Sequence, residues 1–108
     1  MSDRLPTGIV VSALLRRVND SGGMAAVLAR GDAQGGGVLV MVVDRDGPTR
    51  IFERGLGSEG RSALIESTPP RDVGNYWQRR RARDPDLWVV ELDSPHVERF
   101  IAETIGSN

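Results

Sequence analysis

The most constraining feature of this sequence is an unbroken apolar run at residues 38–43 (Val-Leu-Val-Met-Val-Val), which lies between a glycine and an aspartate. Four of its six residues are valine, whose branched side chain favours a strand. A strand with one face in water alternates apolar and polar residues, and this run does not. We therefore expect both faces of the strand to be covered, either by short helices on the two sides of a sheet or by a second copy of the chain on one side.

The segment at residues 37–44 is one of five predicted strands. The others are residues 24–30, 49–54, 61–67 and 87–93. Asp46 and Gly47 lie between the second and third strands, and Asp-Gly supplies the positive φ that a tight hairpin turn needs. A glycine-rich turn at residues 55–60 separates the third and fourth strands. The first four strands are therefore predicted to form an antiparallel meander.

The first predicted helix follows Thr7, a suitable N-cap residue, and ends in the polar and glycine-rich residues 19–23. Its apolar residues recur at helical spacing. Because residues 9–11 are β-branched, a short strand that leads into this helix is the alternative. A second helix is predicted over residues 72–83, since Pro85 disfavours helical geometry at the residue before it.

A third helix is predicted to begin at Ser94 and Pro95, with Gly106 as its C-terminal cap. Its apolar stripe consists of Val97, Phe100, Ile101 and Ile105. The element order is thus α-β-β-β-β-α-β-α, which predicts an α+β fold, a mainly antiparallel five-stranded sheet packed with three helices. At 108 residues the chain is expected to form a single domain over residues 1–108.

Composition excludes several classes of protein. There is no cysteine and a single histidine, so we expect no disulfide, no cysteine nucleophile and no histidine-built zinc site. No apolar run approaches the ~20 residues that span a bilayer. The first apolar run, at residues 9–15, is followed by Arg16 and Arg17, whereas a secretory signal has its basic residues before the apolar stretch. We therefore predict a cytoplasmic protein with no membrane contact and no cofactor.

All 14 basic residues are arginine, and five of them lie in residues 71–83 beside a single acidic residue. Arginine and aromatic side chains together grip phosphates and stack on bases, so this Arg-rich helix is a candidate nucleic-acid site. The alternative is a solvated helix face, with Tyr76 and Trp77 pointing into the core. The absence of lysine then reflects a genome whose codon bias favours arginine. The candidate binding residues are Arg79, Arg80, Arg83, Asp84, Trp88 and Asp32.

Other polar groups also have structural interpretations. Asp32 lies in a turn, where an aspartate commonly bonds its own backbone. Carboxylates could hold Mg²⁺ or transfer protons, or else cap and pair with arginine. Four of them surround the fifth strand: Asp84, Asp86, Glu91 and Asp93. His96 has no identifiable catalytic partner. Neither glycine-rich segment, at residues 35–37 or 55–60, precedes the Lys-Ser/Thr of a phosphate-binding loop. We therefore predict a protein that is not an enzyme and binds no metal.

Three segments resemble a known bacterial family. They are residues 13–18 (ALLRRV), residues 30–32 (RGD) with 37–40 (GVLV), and residues 76–91, whose most specific part is RDPDLWVVE at 83–91. Over nearly its whole length the chain is similar to the family of domain of unknown function 1491. The resemblance implies a single cytosolic domain, and it carries no activity, cofactor or catalytic residue over to this chain.

Three functions fit these features. The first is a small, non-catalytic interaction domain that forms a homodimer, because the 38–43 run needs cover and no catalytic set is present. The second is an RNA- or DNA-binding accessory protein that uses the Arg-rich helix, whose affinity would fall steeply as salt rises. The third is a small-ligand-binding domain or enzyme, which requires a pocket that joins Asp32, the Arg-rich helix and the acidic strand.

Overall fold

The computed structural model describes residues 5–44, 46–56, 62–95 and 97–106. Its elements are α1 (Thr7–Asp20), β1 (Met24–Ala29), β2 (Val38–Val42), β3 (Arg50–Leu56), β4 (Ser62–Glu66), α2 (Val73–Arg83), β5 (Trp88–Asp93), α3 (Val97–Ile101) and a π-helical turn (Ala102–Gly106). The predicted element order and the α+β class are confirmed. Arg45, residues 57–61 and His96 lie outside the described residues, and with them parts of both predicted hairpin turns.

The five strands form one sheet in the order β1-β5-β2-β3-β4. The strands β2, β3 and β4 form an antiparallel meander as predicted. The prediction that β1 continues this meander is wrong, because β5 lies between β1 and β2, antiparallel to the first and parallel to the second. Since β4 and β5 run in the same direction, the connection over residues 67–87 crosses the sheet. It contains α2, the usual kind of crossover between strands that run the same way.

Both faces of β2 are covered within one chain. All five of its residues are buried. Val38, Val40 and Val42 belong to the larger core cluster, which includes α1 and α3. Leu39 and Met41 face the other way and pack in a smaller cluster that is bordered by α2. The predicted burial is confirmed, but the helices of the same chain supply it, so it gives no support to a second copy.

The α1 and α3 layer carries the stripes that helical spacing predicts. Residues 9–11 are helical, which excludes the strand alternative. After Asp20 the chain reverses at Gly22, whose φ of +86° is a conformation that glycine adopts without strain. The helix α3 starts at Val97, later than the predicted Pro95. The buried residues of this layer are Thr7, Val10, Val11, Leu14, Val18, Val97, Phe100, Ile101 and Ile105.

A distant loop, rather than a side chain of α1, caps the first turn of α1. The backbone N–H groups of Thr7 and Gly8 donate to the carbonyl oxygens of Gln34 (3.2 Å) and Ala33 (2.9 Å). The Thr7 hydroxyl donates to the carbonyl oxygen of Gly36 at 2.7 Å. The prediction that Thr7 is the N-cap is wrong, because the loop carbonyls satisfy the N–H groups that a capping side chain would take.

Within the described part of the chain, no helix is long and apolar enough to cross a bilayer.

Candidate functional site

Contacts within the chain hold most of the Arg-rich helix in place. Arg79 donates to Asp72 at 3.0 Å, and the pair is exposed on both sides. Arg81 donates to the carbonyl oxygen of Arg30 at 2.7 Å. The side chain of Arg83 is exposed and makes no hydrogen bond or ion pair with a described residue. The alternative in which Asp84 and Asp86 pair with these arginines is not observed; the Asp84 carboxylate accepts the backbone N–H of Asp86 at 3.1 Å instead.

Arg80 forms more polar contacts with described residues than any other arginine of this helix. Its Nη1 and Nη2 atoms each donate to one carboxylate oxygen of Glu53, both at 2.7 Å, in a bidentate ion pair. Its Nη1 atom also donates to the Tyr76 hydroxyl at 2.8 Å. Ser67 donates to the same Glu53 carboxylate at 2.6 Å. Both charged side chains are mostly shielded from solvent, Arg80 with 30% and Glu53 with 21% exposed.

This pairing shifts the pKa values of both partners. The hydrogen bonds from Arg80, and to a smaller extent from Ser67, hold the pKa of Glu53 below its ordinary value against the opposing effect of burial. The Glu53 carboxylate in turn raises the pKa of Arg80. Sequence reasoning missed Glu53, because nothing in the local pattern joins a strand residue to a helix residue 27 positions later. The crossover through α2 creates the contact.

A cavity of about 260 Å³ opens beside this ion pair, and we call it the Arg80 cavity. It lies between the glycine-rich loop before β2, the strand β3, the helix α1 and the C-terminal end of α2. Its lining residues are Thr7, Val10, Gly35, Gly36, Gly37, Val38, Glu53, Arg54, Arg80, Asp84, Leu87 and Ile105. The structure therefore brings Arg80 and Asp84 together at a pocket, while Arg79 and Arg83 do not line it.

Asp32 and Trp88 support the loop behind this cavity. The Asp32 carboxylate accepts the backbone N–H of Gly35 at 2.8 Å, which confirms that Asp32 organises its own turn. The indole Nε1 of Trp88 donates to the carbonyl oxygen of Asp32 at 2.8 Å. Trp88 is 4% exposed and belongs to the larger core cluster, with Arg30 lying over its ring. Both residues thus hold the loop in position, and neither lines the cavity.

The four carboxylates around β5 do not form one group. Asp84 and Asp86 precede β5, whereas Glu91 and Asp93 lie at its far end. A strand advances about 3.3 Å per residue, so the two pairs are well beyond the reach of a shared ion. Among the described residues, no three His, Asp or Glu side chains could hold a metal ion together. The grouping suggested by the sequence is therefore wrong.

The strand β1 forms one edge of the sheet and pairs only with β5 among the described strands. Its sequence, Met-Ala-Ala-Val-Leu-Ala, contains no charged residue. The side chains of its even-numbered residues are exposed: Met24 is 73% and Leu28 is 36% exposed, and Ala26 is exposed between them. The register shifts after Val27, which marks a β-bulge near the end of the strand. We call the row Met24, Ala26 and Leu28 the β1 edge.

Comparison with known proteins shows where this fold occurs. The family model described as "protein of unknown function (DUF1491)" matches residues 5–102. No curated protein matches the chain. The crystal structure of a DUF1491 family protein from Caulobacter crescentus CB15 is 37% identical, with a TM-score of 0.78 over 90% of this chain and 94% of that one. An NMR structure of a DUF1491 family protein from the same organism is 38% identical, with a TM-score of 0.74 over 89% of this chain and 91% of that one.

A third similar structure is the solution structure of protein Atu0922 from A. tumefaciens. It is 29% identical, with a TM-score of 0.69 over 84% of this chain and 86% of that chain. The match to the family model spans all the residues that carried the resemblance in the sequence, including RDPDLWVVE at 83–91. The resemblance is thereby confirmed, and the chain belongs to the DUF1491 family.

Proposed function

We propose that this protein is a small, non-catalytic interaction domain that forms a homodimer through the β1 edge. The supporting observation is that β1 is an edge strand with exposed apolar side chains and no charge. Proteins usually protect an edge strand with charged residues or proline, since an unprotected edge pairs readily with another strand. The opposite edge, β4, ends in Glu66, which is ion-paired with Arg50 at 2.9 Å. This difference in charge between the two edges supports β1 as the pairing edge.

The side chains of β1 complement themselves in one register. When two copies pair antiparallel about a two-fold axis normal to the sheet, residues opposite each other share a face. An axis at Ala26 places Met24 opposite Leu28 of the second copy, and the small Ala26 side chains meet at the axis. Each copy has only one β1, so the pairing closes as a dimer and does not extend further. The result is one continuous sheet in which the β1 strands pair through their backbones and the two copies of the β1 edge contact each other on one face.

Sedimentation equilibrium tests this proposal. We expect a species of twice the 11.7 kDa chain mass at micromolar concentration. Leu28→Glu should give a folded monomer, because it places two charges in the pairing edge. Ile65→Glu is the matched control, since Ile65 lies on the other edge strand and is also 36% exposed. A wild-type monomer, or equal loss of dimer in both variants, would contradict the proposal.

A single engineered cysteine tests the register. The chain has no cysteine, so Ala26→Cys introduces the only thiol. Directly opposite strand residues have Cβ atoms about 4.5–5.5 Å apart, close to the distance that a disulfide bridges. Oxidation should therefore convert Ala26→Cys into a covalent dimer at low protein concentration. Ala13→Cys, at an exposed position of α1, should remain mostly monomeric under the same oxidation.

Nucleic-acid binding by the Arg-rich helix remains the alternative. Arg83 is the observation in its favour, because this exposed arginine forms no hydrogen bond or ion pair with a described residue. Binding of a mixed RNA pool that weakens steeply with salt, and weakens further in Arg79→Ala with Arg83→Ala, would support it. Binding that the two substitutions leave unchanged would exclude the helix. The cytoplasm remains the predicted location for either function.

A further inference from the structure

Arg80 has one edge of its guanidinium group that no described residue occupies. A guanidinium carries five N–H groups, two on each Nη and one on Nε. Glu53 takes one from each Nη, and the Tyr76 hydroxyl takes the second one of Nη1. The second N–H of Nη2 and the N–H of Nε remain without an acceptor among the described residues. These two N–H groups are parallel and adjacent, which is the fork that binds a carboxylate in a bidentate way.

Arg50 shows how this chain fills the same fork elsewhere. Its Nε and Nη2 atoms donate to the two oxygens of Glu66, at 3.3 and 2.9 Å, and its Nη1 atom donates to Glu98. Arg50 thus has one carboxylate on its Nε–Nη2 fork and a second on Nη1, whereas Arg80 has a carboxylate only on its Nη1–Nη2 edge. Arg80 is also the more shielded of the two, with 30% of its side chain exposed against 38%. A shielded and fixed fork favours a ligand, because little side-chain entropy is left to lose on binding.

The lining of the Arg80 cavity indicates what kind of acceptor would fit. Its charged residues are Arg54, Arg80, Glu53 and Asp84, so their formal charges cancel. A dianion such as phosphate would meet the Asp84 carboxylate as well as the arginines, which disfavours it relative to a single carboxylate. The volume of about 260 Å³ lies below the ~300–1,000 Å³ of sites for drug-sized ligands. Besides Thr7 and the glycines at residues 35–37, the rest of the lining is apolar: Val10, Val38, Leu87 and Ile105.

We propose that the Arg80 cavity binds a small monocarboxylate with a short apolar chain. Its two oxygens accept the Nε–H and Nη2–H groups of Arg80, and Arg54 adds a second positive charge to the same wall. Its hydrocarbon part lies against the apolar side chains of the lining. Glu53 and Tyr76 act as positioning residues, because their hydrogen bonds with Arg80 fix the plane of the guanidinium. This site is separate from the β1 edge and does not depend on dimer formation.

Sodium butyrate is a suitable probe, with inorganic phosphate as the dianion for comparison. In ¹⁵N-labelled protein we expect butyrate to shift the Nε–H resonance of Arg80 and the backbone amide resonances of residues 35–38, in a saturable way. Phosphate at equal concentration should shift them far less. No shift of these resonances at about 10 mM butyrate, or larger shifts with phosphate, would overturn the proposal.

Three variants locate the contact. Arg80→Lys keeps the positive charge and removes the fork, so butyrate affinity should fall by about tenfold or more. Arg83→Lys is the matched control on the exposed side of α2 and should bind like wild type. Asp84→Asn keeps the contact to Asp86 through its amide oxygen, and it should bring phosphate affinity closer to that of butyrate. Asp84→Asn is an independent test in case Arg80→Lys fails to fold. If Asp84→Asn leaves phosphate binding unchanged, the proposal is contradicted.

Discussion

Replacing Trp88 by alanine tests how the core holds the loop that carries Asp32. Trp88 is 4% exposed and packs in the larger core cluster. Its indole N–H donates to the Asp32 carbonyl oxygen at 2.8 Å, and the Arg30 guanidinium lies 5.4 Å from the centre of its ring. The substitution therefore removes buried volume, a hydrogen bond and a cation–π contact at one position.

The size of the effect follows from these three contacts. Truncating a buried tryptophan to alanine costs about 3–5 kcal/mol in free energy of unfolding, chiefly through lost burial and the cavity left behind. The hydrogen bond contributes about 0.5–1.5 kcal/mol and the cation–π contact about 0.5–1 kcal/mol. We therefore expect a loss in the upper part of the range, about 4–5 kcal/mol. Trp88→Phe keeps most of the ring burial and loses the N–H, so we expect about 1–2 kcal/mol.

Urea unfolding followed by far-ultraviolet circular dichroism measures both values, since this signal arises mainly from the peptide backbone rather than from the tryptophan that is removed. Trp77→Ala is the matched control, because Trp77 is only partly buried at the border of the smaller cluster. It should cost less than Trp88→Ala, about 1–2 kcal/mol. A loss below about 1 kcal/mol in Trp88→Ala would refute the reasoning, and so would a loss in Trp77→Ala of the same size as that in Trp88→Ala.

Two further predictions concern the Arg80 cavity. Folding lowers the pKa of Glu53, so the ionised Glu53 stabilises the protein at pH values above its ordinary pKa, and this stabilisation is lost as the pH falls through the lowered pKa. The difference in free energy of unfolding between wild type and Glu53→Gln should therefore be larger at about pH 7 than at about pH 2. A difference that is constant over this range would contradict the assignment. Gly36→Ala would place a Cβ 2.1 Å from the Asp86 carbonyl oxygen and should destabilise by about 1–3 kcal/mol in thermal unfolding. Gly74→Ala, whose Cβ would meet nothing within 4 Å, should instead be neutral or stabilise by up to about 1 kcal/mol, and equal losses in both variants would refute the packing argument.

Several parts of the fold could be predicted because they depend on local patterns. The stripe of Phe100, Ile101 and Ile105 is buried as helical spacing predicts. The non-alternating residues of β2 are buried on both faces, as expected for a strand with no polar side. These predictions succeed because the side chains on one face of a helix or a strand recur with a fixed period, so the pattern of apolar residues in the sequence shows which faces are buried.

The candidate site was predictable only in part. Arg80 and Asp84 stood out by type and position, and the structure places both at one cavity. Their partner Glu53 and the fork left open on Arg80 were not predictable, because both depend on the distance between a helix and a strand that are far apart in the chain. The four carboxylates around β5 show the opposite case, in which neighbours in sequence are separated by the length of a strand.

By itself, the sequence determined the kinds of element, their order and which side of α1 and α3 is buried. Only the tertiary structure decided that β5 lies between β1 and β2, and this placement leaves β1 as an exposed edge. The physical reason is that periodicity records whether a residue is buried, and not which strand lies beside it. Continuous burial identifies two central strands, Val38–Val42 and the Trp88–Val90 part of β5. Their parallel pairing appears only in the tertiary structure. The same structure carries α2 across the sheet and places Arg80 against Glu53.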